Sequence, residues 1–112
     1  MGARLKSVYG NVPISASNLY TNATNQGASI SMIQVTNNTA SNRAITVRVS
    51  NDSGATFGTL AAGIVIPPAT AIGLLTGTLN IGTGGIVQIY ASSGVAGDCL
   101  YLISMMEYFV GS

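Results

Sequence analysis

ASISMIQVTNNTASNRAITVRVS, residues 28–50, reads as two β-strands joined by a polar turn. The second arm alternates, with Arg43, Ile45, Val47 and Val49 set against Ala44, Thr46, Arg48 and Ser50. Strand side chains point to opposite faces with period two, so this arm has one apolar and one polar face. Between the arms, Asn37, Asn38, Thr39, Ser41 and Asn42 carry side chains that bond local backbone and tolerate left-handed conformations. The unit is expected to be a hairpin. Its first arm is less regular. Ile30 and Met32 share one face while Ile33 and Val35 share the other. Either a bulge shifts the register, or the strand is covered on both sides.

Outward from this unit the chain keeps the same character. Residues 12–20 alternate Val12, Ile14 and Ala16 with polar or small residues, and 21–27 (TNATNQG) have loop composition. Asn51, Asp52, Ser53 and Gly54 form a turn after the second arm. Residues 57–60, 64–66, 71–75 and 86–91 are short strand candidates, interrupted at Pro67 and Pro68 as any sheet interior requires. The last strand, 99–110, is apolar on both faces: Leu100, Leu102 and Met106 on one, Tyr101, Ile103, Met105 and Phe109 on the other. No segment shows a helical period. Turns recur every 8–12 residues or so, the spacing of an antiparallel sandwich. The expected fold is an all-β, antiparallel β-sandwich of jelly-roll or Greek-key type in a single domain. Residues 1–11 are expected as an N-terminal arm or short strand, and 12–112 as the sandwich.

Charge is scarce. The 112 residues carry only Arg4, Lys6, Arg43, Arg48, Asp52, Asp98 and Glu107, which is 6% of the chain against about 25% in ordinary domains. Net charge is +1, which leaves neither a nucleic-acid footprint nor an acidic tail. Polarity comes instead from 32 Ser, Thr and Asn residues. A surface this poor in charge is expected to be hidden against partner subunits rather than dispersed in water.

Catalytic chemistry is hard to assemble here. Histidine is absent and the three acids lie far apart in sequence, whereas general acid–base work needs an imidazole or paired carboxylates. Asp52 and Asp98 sit beside turn glycines. Glu107, an acid in an apolar strand, is expected to pair with a cation, with Arg48 the candidate, or to contact a partner. The glycine run at 82–85 lacks the Lys-Ser/Thr of a phosphate loop and precedes a strand. The single cysteine, Cys99, reads as a buried small hydrophobe. Sequons at Asn22, Asn37 and Asn51 are expected from composition alone. Residues 1–10 lack the apolar core of a signal peptide, and 60–75 are too short and too broken to cross a bilayer. No enzyme activity, cofactor, metal, nucleic acid or membrane partner is expected, and synthesis in a cytoplasm is. The seven aromatic residues are scattered and suit packing rather than base stacking.

The order of motifs resembles a known family. Leu19, Tyr20 and Thr21 precede an apolar strand ending Val35, Thr36 and Asn37. An alternating strand at 44–49 follows, then a Pro-containing segment at 60–68, and a last strand closing in Ser104, Met105, Met106 and Glu107. This order resembles small β-sandwich virion proteins of tailed bacteriophages, of capsid decoration (cement) or neck and tail type. One departure is Asn22, Ala23 and Thr24, where the family often has a proline. The resemblance implies a non-enzymatic virion structural protein made in the bacterial host cytoplasm, without a fixed place in the particle. Small size, a single β domain, few charges and the lack of catalytic residues make the leading expectation a capsid decoration protein that binds the outside of a phage head and bridges capsid subunits. The alternatives are a neck, tail or fibre component, or a carbohydrate-binding attachment module. By analogy with small cement proteins a homotrimer is expected, bound to the major capsid protein or another virion protein. Candidate interface residues are Arg4 and Lys6 on the arm, Arg48, and Met105, Glu107, Tyr108 and Phe109 in the two-sided last strand.

Overall fold

A computed structural model describes residues 3–23, 25–75 and 77–109. Nine strands run in chain order: β1 (Ala3–Asn11), β2 (Asn18–Thr21), β3 (Gln26–Asn37), β4 (Arg43–Ser50), β5 (Gly58–Ile66), β6 (Thr70–Gly73), β7 (Leu79–Ile81), β8 (Ile86–Ala91) and β9 (Cys99–Phe109). They form two antiparallel sheets. One has the order β1-β9-β3-β6, with β7 also paired to β3; the other is β2-β8-β4-β5. Successive strands from β1 to β5 alternate between the sheets, except that β4 and β5 are neighbours, and the last strand returns beside the first. This double-sheet winding is the jelly roll.

The winding changes the reading of residues 28–50. β3 and β4 lie in different sheets and do not pair, so the unit is an arch across the sandwich rather than a hairpin. Period two only demands that each arm bury one face, and two facing sheets satisfy that as well as one ladder does. Asn37 makes the crossing. Fully buried, its amide nitrogen donates to the Ser41 and Ile66 carbonyls at 2.7 and 2.9 Å, while its side-chain oxygen accepts from the Thr39 N–H and hydroxyl.

A bulge explains the irregular first arm. On β9, Met105 faces Ile30 and Ser104 faces Met32, leaving Ser31 unpaired. The extra residue flips the parity, so that Ile30 and Ile33 both point inward and both are completely buried. Beyond the bulge Met32, Gln34 and Thr36 face outward together. β3 is therefore not apolar on two sides.

Elsewhere, residues 57–60 and 64–66 merge into one strand, β5, whose register against β4 slips twice. Gly63 sits within it at φ +59°, a conformation that side chains avoid. The alternation at 12–20 yields a strand only at β2, because Pro13 to Ser17 have no ladder partner. The short β7 carried no sequence signal. Residues 3–11 form a full edge strand paired along its whole length with β9. The core between the sheets is mostly Ile and Val, from Val12, Ile30, Ile33 and Val35 on one side to Ile45, Val47 and Ile89 on the other. β-branched residues suit a pleated surface, which is why so small a chain can form two well-packed sheets.

Candidate assembly surface

β9 presents two chemically distinct faces. Its odd-numbered residues from Cys99 to Met105 enter the core, and Glu107 follows them inward at 3% exposure. A carboxylate there needs partners, and three groups supply them. The Tyr20 hydroxyl donates to Oε2 at 2.5 Å, Arg4 Nε donates to Oε1 at 2.8 Å, and Lys6 Nζ stands 3.8 Å from Oε2. Burial alone raises the carboxyl pKa. The Tyr20 and Arg4 hydrogen bonds and the two cations outweigh it and hold Glu107 below the ordinary carboxylate range. The same burial, with the charge of Glu107, pushes the Tyr20 phenol well above its usual range. The cluster ties three strands together: β1 through Arg4 and Lys6, β9 through Glu107, and β2 of the opposite sheet through Tyr20.

The outer face of β9 is different. Leu100, Leu102, Met106 and Tyr108 lie along it on either side of Ser104, and Leu5 and Tyr9, on either side of Ser7, extend the apolar surface onto β1, opposite Met106 and Leu102. Leu5 is 81% exposed and Tyr9 72%, the highest values among the large apolar side chains of the described residues. Tyr108 is held in place because its ring lies across Gly27, where a Cβ would come within 2.6 Å of it. A depression of about 330 Å³ opens among Tyr9, Gln34, Thr36, Leu100 and Leu102. Among the described residues no charged side chain lies on this face: Arg4 and Lys6, though 60% and 41% exposed, are on the other side of β1, turned towards Glu107.

The candidate interface residues thus fall in three places. Arg4, Lys6 and Glu107 come together, but in a clamp closed on itself. Tyr108 lies on the exposed face and Phe109 is half-exposed at the end of β9, whereas Met105 is in the core. Arg48 does not meet Glu107. It lies on the outer side of the other sheet, where its guanidinium donates to Gln88 Oε1 at 2.6 Å and sits 4.6 Å from the Phe57 ring centre. Leu5 and Tyr9 were missed, although the alternation of Leu5, Ser7 and Tyr9 with Arg4, Lys6 and Val8 carries the signal.

The remaining chemistry-bearing residues have local roles. Asp98 bonds the Val95 N–H and Arg43, which together lower its pKa, and Asp52 is held down by the Ser50 hydroxyl and the Thr56 N–H. Cys99 is buried, and burial pushes its thiol up. Asn22 is buried as well, its amide donating to the Gln26 and Gly82 carbonyls. Among the described residues no three His, Cys, Asp or Glu side chains gather as a metal site, and no helix is long and apolar enough to cross a membrane.

No protein-family model and no curated sequence matches the chain. Solved structures share its fold. A protein of the Bacillus endospore appendages, which form disulfide-linked pili, matches over 98% of this chain and 88% of its own at TM-score 0.56 and 14% identity. A protein of the infectious bursal disease virus particle matches over 97% of this chain at TM-score 0.56 and 12% identity, and this chain spans 31% of that longer one. The likeness is one of fold.

Proposed function

We propose that the protein is a non-enzymatic structural subunit of a protein coat, and that it serves as a capsid decoration (cement) protein seated on the outside of a phage head. The observation that carries this reading is the outer face of β1 and β9, an uncharged apolar surface on a chain with few charges anywhere. Clusters of exposed large apolar side chains, here Leu5, Tyr9, Leu100 and Met106, mark contact sites on soluble proteins. Its partners are other copies of this chain and the major capsid protein. The clamp at Glu107 keeps β1 in place so that Leu5 and Tyr9 stay on that face.

The order of sequence motifs favours the phage setting, and the capsid protein with the same fold accords with it. A second reading, a filament subunit, draws on the pilus protein, which matches this chain over nearly the full length of both. Two measurements separate them. Quantifying the protein in purified particles should give a copy number comparable to the major capsid protein; a handful of copies would indicate a neck, tail or fibre part instead. Electron microscopy of the purified chain alone should show no filaments if it decorates a preformed shell. Filaments would favour the second reading, and specific binding on a glycan array would favour an attachment module.

A further inference from the structure

A jelly roll has four sheet edges, and in this one they are unequal. β2 and β6 have four residues each and β7 three. β5 is longer, but its two register slips and the left-handed Gly63 kink it. Short or bulged edges of this kind resist pairing with other chains. β1 is neither short nor bulged, and its two charges, Arg4 and Lys6, are taken up by Glu107. Nine residues pair with β9 without a single register shift, no proline interrupts them, and among the described residues nothing covers the other side.

The backbone groups on that free edge can be named. The Val12 N–H donates to the Cys99 carbonyl at 2.9 Å, one residue beyond the Asn11–Leu100 pair. Antiparallel ladders alternate, so the even-numbered residues of β1 bond β9. The N–H and C=O groups of Ala3, Leu5, Ser7, Tyr9 and Asn11 therefore point away from the sheet with no ladder partner.

We propose that β1 pairs antiparallel with β1 of a second copy about a two-fold axis at Ser7, joining the two outer sheets into one. A continuous partner edge is needed, and among the described residues β1 itself is the one edge of matching length and regularity, so the contact is isologous. With Ser7 facing Ser7 of the other copy, Leu5 lies opposite its Tyr9 and Ala3 opposite its Asn11. All of the outward-pointing backbone groups then find partners. The two most exposed large apolar side chains cover each other, and the apolar face of β9 continues across the join. Arg4 falls opposite Gly10 and Lys6 opposite Val8, whereas parallel pairing in register would stack Arg4 on Arg4. The contact is two-fold, in place of the threefold expected from the cement-protein analogy. It rests on the assembly reading only in that both need a self-associating chain; a dimer absent from particles would refute the coat role and leave this contact standing.

The test uses the full chain and two substitutions. Ser7→Pro removes an N–H that faces away from β9, a position an edge strand tolerates. The wild type should sediment as a dimer and S7P as a monomer with an unchanged circular dichroism spectrum. Ser7→Cys places two thiols across the axis at a Cα separation of about 5.5 Å, within reach of a short bis-maleimide. It should cross-link quantitatively with that reagent, because Cys99 is buried and does not compete, and Leu60→Cys on β5 should not. A monomeric wild type, a dimer that S7P leaves intact, or S7C that fails to cross-link would each overturn the proposal. If S7P does not fold, the S7C result decides.

Discussion

β3 and β9 lie side by side in one sheet, and in sequence both are apolar on two sides. They arrive there by different routes. In β3 the pattern is one inward face whose phase shifts at Ser31, so its outer side is mostly polar. In β9 the register is unbroken, and the outer row of Leu100, Leu102, Met106 and Tyr108, interrupted only by Ser104, is a second, largely apolar face. Two-sided apolarity in a strand therefore has two meanings: a bulge conceals an ordinary amphipathic strand, whereas an unbroken alternation exposes a surface that needs a partner. Only the second says anything about assembly.

The comparison can be broken most severely at the bulge. Deleting Ser31 forces either Ala28 and Ile30 or Ile33 and Val35 to the outside, because a one-residue slip inverts every side chain beyond it. The expected loss exceeds the entire stability of a domain this size, about 5–15 kcal/mol, and the purified variant should show no cooperative unfolding transition in urea. Next in size is truncation on the inner side. Ile103→Ala, at a fully buried β9 position opposite Ile33, should cost about 3 kcal/mol in the same assay.

Between inner and outer faces stands Glu107. Glu107→Gln keeps a hydrogen-bond acceptor for Tyr20 but loses both ion pairs, for an expected cost of about 2 kcal/mol. The pH profile has a definite sign. The folded-state pKa of Glu107 is depressed below its ordinary 4.5, so its contribution is complete above that value and is lost as pH falls through the folded-state pKa. Wild-type stability should drop below about pH 4.5. E107Q should lack this share of the decline, leaving the shares of Asp52 and Asp98, whose pKa values are also lowered. Equal acid profiles for the two proteins would remove the clamp from the account. The smallest effect on folding belongs to the outer face. Met106→Lys should change the stability of the isolated chain by less than about 0.5 kcal/mol, yet weaken any contact made through the outer face by placing a charge on it. A large folding defect would mean that this face is not free.

Much of the architecture was legible before any coordinates. The absence of helical periods, the turn spacing and the alternation in β4 were enough for an antiparallel sandwich, and β8 and β9 fall where the sequence placed them. Sheet membership was not legible. The alternation of residues 28–50 records which faces are buried, not what they are buried against, so an arch and a hairpin leave the same pattern, and Asn37 tells them apart only through Ile66, which is 29 residues away. The clamp was half visible. Glu107 was conspicuous as an acid in an apolar strand, but its partners lie at sequence separations of 87 for Tyr20 and 103 for Arg4, and no local rule connects such positions. Leu5 and Tyr9 were readable in principle from their alternation with Arg4, Lys6 and Val8. The two cations drew the reading towards an interface made by charge, whereas they turn towards Glu107 and the uncharged side of the strand faces out.

The central claim is that the β1–β9 side of the sandwich is a contact surface and not an idle face. Sedimentation velocity on the purified wild-type chain across a wide concentration range tests it most directly. The account requires a dimer or larger species that dissociates on dilution and that S7P weakens, with M106K weakening any further association made through the outer face. A chain that remains monomeric at the highest concentration reached, with both variants indistinguishable from it, would contradict the account.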